Sequence, residues 1–135
     1  MSVDQRLSEN HRQTVASFCE AWERLDVEGI LSLMSEDAVY HNVPLAPLTG
    51  HNEIRGFLIP FLSAASACKF EILTIVADGE RVVTERLDSF SLPSGDLDEL
   101  PVLGIFEFDS DGKIKQWREY FDLKTWVDKG GPALG

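Results

Sequence analysis

Apolar positions change period partway along the chain. Val15, Phe18, Cys19, Trp22 and Leu25 recur at i, i+3, i+4 and i+7, the spacing that lines one face of a helix. They predict a helix over residues 8–25 with Ser8 as its N-cap. Asp26 is placed to cap a second, shorter helix through Ile30, Leu31, Leu33 and Met34. Ala38 to Asn42 reads as a short strand, followed by an irregular loop at Pro44 and Pro47. Ile54, Phe57, Leu58, Phe61, Leu62 and Ala65 make another helical stripe over 51–65, which Pro60 is expected to bend or divide. From Phe70 the pattern becomes extended: 70–77, an Asp78-Gly79 turn, 81–92, a loop over 93–96, 100–108, a turn over 109–112, and 113–121. Asp-Gly between β-branched runs is a strong hairpin signal.

Helices followed by a run of strands imply α+β rather than alternating βαβ units. The expected architecture is a curved, mostly antiparallel sheet wrapped over N-terminal helices, with a pocket between the two layers. With no internal repeat or linker, residues 1–135 read as one domain, and the Gly- and Pro-rich residues 129–135 as a loose tail.

Polar residues interrupt these apolar runs in pairs. On the strand from Arg81, Val83, Glu85, Leu87 and Ser89 share one face, and Val82, Thr84, Arg86, Asp88 and Phe90 the other. Arg86 and Asp88 therefore stand side by side, as do Tyr40 and Asn42 earlier. Each cluster has a plain reading. Arg86 and Asp88 could be an exposed pair worth little to stability. Tyr40 and Asn42 could serve the proline loop, and Asp122 could cap a helical stretch from Leu123 to Val127.

Composition narrows the function classes. A net charge of −11 disfavours nucleic acid and anionic membrane surfaces as partners. The N-terminal MSVDQRLSENHRQ has no apolar signal core, and no segment approaches the roughly 20 apolar residues of a membrane span, so a cytoplasmic location is expected. Cys19 and Cys68 read as buried free thiols. His11, His41 and His51 lack the context of a nucleophile triad and read as surface or satisfied polar groups. Nothing has metal-ligand spacing, and no Gly-rich strand-to-helix loop suggests a nucleotide, so neither metal nor cofactor is expected.

Taken in order, Tyr40-x-Asn42 after two helices, Arg86-x-Asp88 in a long strand, Leu103-Gly104-Ile105-Phe106-Glu107, Asp111-Gly112-Lys113-Ile114 and Trp117-Arg118-Glu119-Tyr120-Phe121-Asp122 closely resemble the limonene-1,2-epoxide hydrolase family. The resemblance spans nearly the whole chain. It implies a nuclear transport factor 2-like, cystatin-like fold, a cone-shaped α+β barrel with the ligand at its mouth, and a homodimer. It also implies that Tyr40, Asn42, Arg86, Asp88 and Asp122 are the five catalytic residues. Asp122 would be the base, activating a water held by Tyr40 and Asn42, Asp88 the acid, and Arg86 the bridge between them.

Such an enzyme converts an epoxide to a vicinal diol in one step, because a base and an acid must act together on a poor nucleophile and a poor leaving group. Phe90, Leu103 and Ile105, and after them Phe61 and Phe70, are the expected walls for a hydrophobic cyclic or terpene-like epoxide, although plain core packing accounts for them equally well. The same fold also carries ketosteroid isomerases, polyketide cyclases and non-catalytic binding domains, so fold alone does not decide the chemistry. An Arg beside the Asp argues against isomerase chemistry.

Overall fold

The computed structural model describes residues 2–134. Helix α1 (Val3–Glu23) and the short α2 (Val27–Ser32) are followed by β1 (Met34–Asn42), β2 (Leu48–Thr49), α3 (Gly50–Ala64), β3 (Ala67–Asp78), β4 (Arg81–Leu92), β5 (Gly95–Phe108), β6 (Ile114–Tyr120) and α4 (Leu123–Asp128). The strands form one six-stranded sheet in the order β2-β1-β6-β5-β4-β3. Among the described residues β1 and β6 pair in parallel and all other neighbours antiparallel. This is the expected mixed, mostly antiparallel α+β arrangement.

Local chemistry accounts for the element ends. Asp26 caps α2 by accepting a hydrogen bond from the Gly29 amide at 2.9 Å. Helix α1 begins earlier than its apolar stripe, because Ser2 and Gln5 form a reciprocal capping box. Ser8 is therefore not a cap; its hydroxyl accepts instead from the Gly79 amide in the β3–β4 turn. Helix α3 runs through Pro60 to Ala64 without interruption. Residues 129–134 are not a free tail, since the Trp126 indole donates to the Pro132 carbonyl at 2.7 Å and Leu134 packs on the core. Gly135 lies outside the described residues.

The stripe of α1 (Val15, Phe18, Cys19, Trp22) and the apolar face of α3 (Ile54, Leu58, Leu62) cover the inner face of the sheet. His11 belongs to that stripe, stacked on Phe108 at 4.0 Å with its Nδ1 on the Gly79 carbonyl. His41 and His51 likewise each meet a backbone carbonyl. Cys19 and Cys68 are free, Cys19 buried and Cys68 half-buried.

A bulge separates the pairs Asp88–Leu100 and Phe90–Leu97, so two residues of β5, Asp98 and Glu99, have no partner. The Ser89 hydroxyl accepts from the Glu99 amide there, and Glu99 adopts a positive φ of 53°. Bulges bend a strand and tighten its twist. This one keeps Asp88, Phe90, Leu97 and Leu100 all buried on the concave side.

Candidate active site

On β4 the alternation resolves in favour of an interior polar cluster. Thr84 and Arg86 are 0% exposed and Asp88 4%, which rules out the exposed-pair reading. Isolated charges at that depth are untenable, and partners are required. Arg86 has them. Its Nε donates to Asp88 Oδ1 at 3.0 Å and its Nη2 to Asp88 Oδ2 at 2.8 Å. Nη2 also donates to Glu119 Oε1, and Nη1 donates to Glu119 Oε2 at 3.2 Å and to Thr84 Oγ1 at 2.9 Å. All five guanidinium N–H groups are thereby used. The Phe70 ring lies 4.7 Å beneath the guanidinium carbon, a cation–π contact.

The second carboxylate is therefore Glu119 and not Asp122. Trp117 and Glu119 share the inner face of β6, both almost fully buried. Asp122 lies past the end of the strand, exposed. It caps α4, accepting from the Lys124 amide and from the Thr125 hydroxyl at 2.7 Å, and that hydroxyl holds its carboxyl below the usual range. The plain capping role is the one it fills. A partial signal was present in the sequence: Glu119 is two residues from Trp117 and in phase with it, and Asp122 is five away, out of phase.

Tyr40 and Asn42 do join the cluster. Parallel pairing of β1 and β6 sets Tyr40 opposite Trp117 and Asn42 opposite Glu119, and Tyr40 stacks on Trp117 with ring centroids 4.3 Å apart. Tyr40, Asn42, Asp88 and Glu119 line the polar side of a cavity of about 40 Å³ whose apolar side includes Phe61, Phe70, Phe90, Leu100 and Val102. That space holds a water with room to spare, since one water needs roughly 10–15 Å³.

Leu103 and Ile105 are absent from these walls. Because Arg86 pairs with Val102 and Asp88 with Leu100 across the β4–β5 ladder, the even-numbered residues of this stretch share the inner face. Leu103 instead lies outside, 43% exposed, beside Tyr120 and Asp122 in a shallow depression. Leu100 and Val102 are the wall residues that sequence reasoning missed, together with Trp22, Phe57, Phe121 and Trp126.

The electrostatics follow from burial. Desolvation raises the Glu119 carboxyl to about 7 against the attraction of Arg86, and the neighbouring Asp88 charge adds to the rise. Asp88 is raised as well, again by burial and again opposed by Arg86. Burial also works against the Arg86 charge, yet the two carboxylates outweigh it and hold the guanidinium firmly protonated. The Trp117 N–H has no well-aligned acceptor, but it stands near enough to Glu119 to favour the ionised form. Burial raises the Tyr40 phenol far above its ordinary range, so it acts as a neutral hydrogen-bonding group.

A buried guanidinium is thus shared by two carboxylates beside a small cavity. Residues 9–130 match the limonene-1,2-epoxide hydrolase catalytic domain. The chain belongs to that family. Epoxide hydrolase EphG of Mycobacterium tuberculosis is 33% identical over 110 residues, covering 81% of this chain and 71% of EphG. The structure of an LEH-like epoxide hydrolase from M. tuberculosis superposes with a TM-score of 0.79 at 28% identity, over 90% of each chain. A nuclear transport factor 2-like protein of unknown function from Burkholderia pseudomallei gives 0.78 at 20% identity, over 88% of this chain and 95% of that one. This epoxide hydrolase thus has the nuclear transport factor 2-like fold. No described helix is long and apolar enough to cross a membrane.

Proposed function

We propose that this protein hydrolyses a hydrophobic, cyclic or terpene-like epoxide to its vicinal diol in one step, with Glu119 as base and Asp88 as acid. The observation that carries this reading is the pairing of Asn42 with Glu119 on adjacent strands, both bordering the cavity with Tyr40. A water held by the Asn42 amide and the Tyr40 hydroxyl would have beside it Glu119, the register partner of Asn42, whereas Asp88 reaches the cavity from β4, two strands away from β6.

The reaction then balances without a covalent intermediate. The water oxygen attacks a ring carbon as its proton passes to Glu119. The bond from that same carbon to the epoxide oxygen breaks on the far side as Asp88 delivers its proton to the departing oxygen. A proton moving from Glu119 back to Asp88 resets the site. The starting state has Asp88 protonated and Glu119 ionised, and it is self-consistent. Once Asp88 carries the proton, its repulsion of Glu119 disappears, while Arg86 continues to stabilise the Glu119 charge. Isomerase chemistry is disfavoured because both carboxylates are tied to the same cation, which would oppose removal of a carbon-bound proton.

The cavity walls are apolar, the character that a hydrocarbon ring around the epoxide requires, and because the space itself is water-sized such a ring would enter by displacing wall side chains. A homodimer is part of the proposal, supported by Val76, Leu103 and Tyr120 exposed on the outer sheet face, as is a cytoplasmic setting, supported by the free thiols.

The test is diol formation from limonene-1,2-epoxide and cyclohexene oxide by the unmodified protein, Asp88→Asn and Glu119→Gln. Diol from the parent protein and loss of at least about a thousandfold in each folded variant is the expected result. A single turnover in ¹⁸O-water separates mechanisms. Direct attack puts solvent oxygen into the first diol formed, and an ester intermediate would put a carboxylate oxygen there instead.

A further inference from the structure

Arg86 rises from β4, and its second carboxylate partner stands on β6, so the side chain must pass over the strand between them, β5. It crosses at Gly104. Gly104 is the register partner of Thr84 on β4 and of Glu119 on β6, and Glu119 is in turn the partner of Asn42 on β1. Thr84, Gly104, Glu119 and Asn42 therefore form one row across four strands.

Glycine inside a strand costs stability and commonly marks a close approach by another group. The close approach here is specific. A Cβ at position 104 would lie 2.5 Å from Arg86 Nη1, 2.5 Å from Glu119 Oε2 and 3.0 Å from Thr84 Oγ1. Those three atoms form a single hydrogen-bonded node, in which Nη1 donates both to Thr84 and to Glu119. None of them belongs to Asp88, which is held through Nε and Nη2. Space at 104 and the hydroxyl at 84 thus bear on one side of the bridge only.

We propose that Gly104 and Thr84 are positioning residues for Glu119: Gly104 keeps open the lane over β5 through which Arg86 reaches the base, and Thr84 fixes the guanidinium end within it. The inference rests on reading Glu119 as the base and Asp88 as the acid. Thr84 supplies the acceptor that the last N–H of Arg86 requires when buried. Without it one N–H of Nη1 has no acceptor, and nothing but Glu119 itself fixes that end of the guanidinium.

The groups that face Glu119 are Arg86 and Asp88 from β4, Tyr40 from β1 and Cys19 from α1. Burial keeps the phenol protonated and pushes the Cys19 thiol up to about 12. Of these groups that leaves the two carboxylates, both raised by burial, to exchange protons.

The experiment follows the Glu119 and Asp88 carboxyls by ¹³C NMR titration, and kcat/KM against pH, in the parent protein, Gly104→Ala, Thr84→Val and Thr84→Ser. A lost hydrogen bond to a charged group corresponds to about one pH unit. Gly104→Ala and Thr84→Val should raise the Glu119 midpoint and the acid limb by about that much, leaving the alkaline limb unmoved, and Thr84→Ser should keep parent values. Thr84→Val preserves shape, so it decides the matter if Gly104→Ala does not fold. An unmoved Glu119 midpoint, or both carboxyls shifting together, overturns the proposal. If the parent protein forms no diol, the functional reading fails on that result, while the titration alone still decides whether these residues control Glu119.

Discussion

Asn42 and Glu119 face each other across the parallel pairing of β1 with β6. The amide at the end of one strand and the carboxylate of the next therefore meet over the same small cavity. If that pairing defines the water site, Asn42→Asp should be damaging in a particular way. A second anion opposite Glu119 would raise its protonation midpoint and shift the acid limb of kcat/KM to higher pH, where Asn42→Ala would lower kcat without that shift. Rate profiles of the two variants against pH test the distinction.

Asp122→Asn should retain activity within about threefold on any epoxide the parent protein turns over, because Asp122 touches the helix terminus and not the cavity. Asp122→Ala removes the cap and should lower stability by about 1 kcal/mol. Urea denaturation alongside the diol assay measures both. A loss of activity in Asp122→Asn as large as in Glu119→Gln would return the base assignment to Asp122.

The pair predicts a bell-shaped dependence of kcat/KM on pH. Activity falls on the acid side as Glu119 takes up a proton and on the alkaline side as Asp88 loses its own. Both carboxyls are raised by burial, so the optimum should lie above the ordinary carboxylate range. NMR assignment of the lower step to Asp88 would reverse the two roles.

Stability should fall as pH rises through the same range. Glu119 is raised from 4.5 to about 7, so the native state binds the proton more tightly than the unfolded chain. Its contribution is fully present below about 4.5 and lost as the pH passes about 7. The ceiling for that term is about 3 kcal/mol. Thermal melts from pH 5 to 8 should give a declining Tm whose slope is reduced in Glu119→Gln, a comparison that cancels the background of the chain's net charge.

Wall residues should divide by strand face. Val102→Ala enlarges the cavity and should change the ratio of kcat/KM between bulky and small epoxides, with a stability loss of about 1–3 kcal/mol. Leu103→Ala, on the exposed outer face, should leave that ratio unchanged and register instead in the oligomeric state. Competition assays with paired substrates, and light scattering, read the two effects.

Local periodicity carried the Asp26 cap, the span of β4, the division of its residues between two faces and, apart from the two-residue β2, the sequence of elements, because each depends on neighbours a few positions away. The order of polar motifs carried the family. Asp122 and the two expected wall residues Leu103 and Ile105 stand outside the cavity lining for related reasons. Asp122 ends a motif that extends past its strand, and the fold gives it the plainer of its two readings, the cap of the helix that follows, α4. Leu103 and Ile105 alternate correctly, but alternation gives two faces without saying which is inside. That choice is made when Leu100 and Val102 pair with Asp88 and Arg86 across the ladder. Gly104 likewise stands alone in the sequence as a weak spot in a strand, and acquires its meaning only when β4 and β6 lie on either side of it. The amino-acid sequence by itself determined the elements, their faces and the chemical groups at hand. Tertiary structure decided which carboxylate shares the guanidinium, because register between distant strands depends on packing the whole sheet against its helices and not on any local preference.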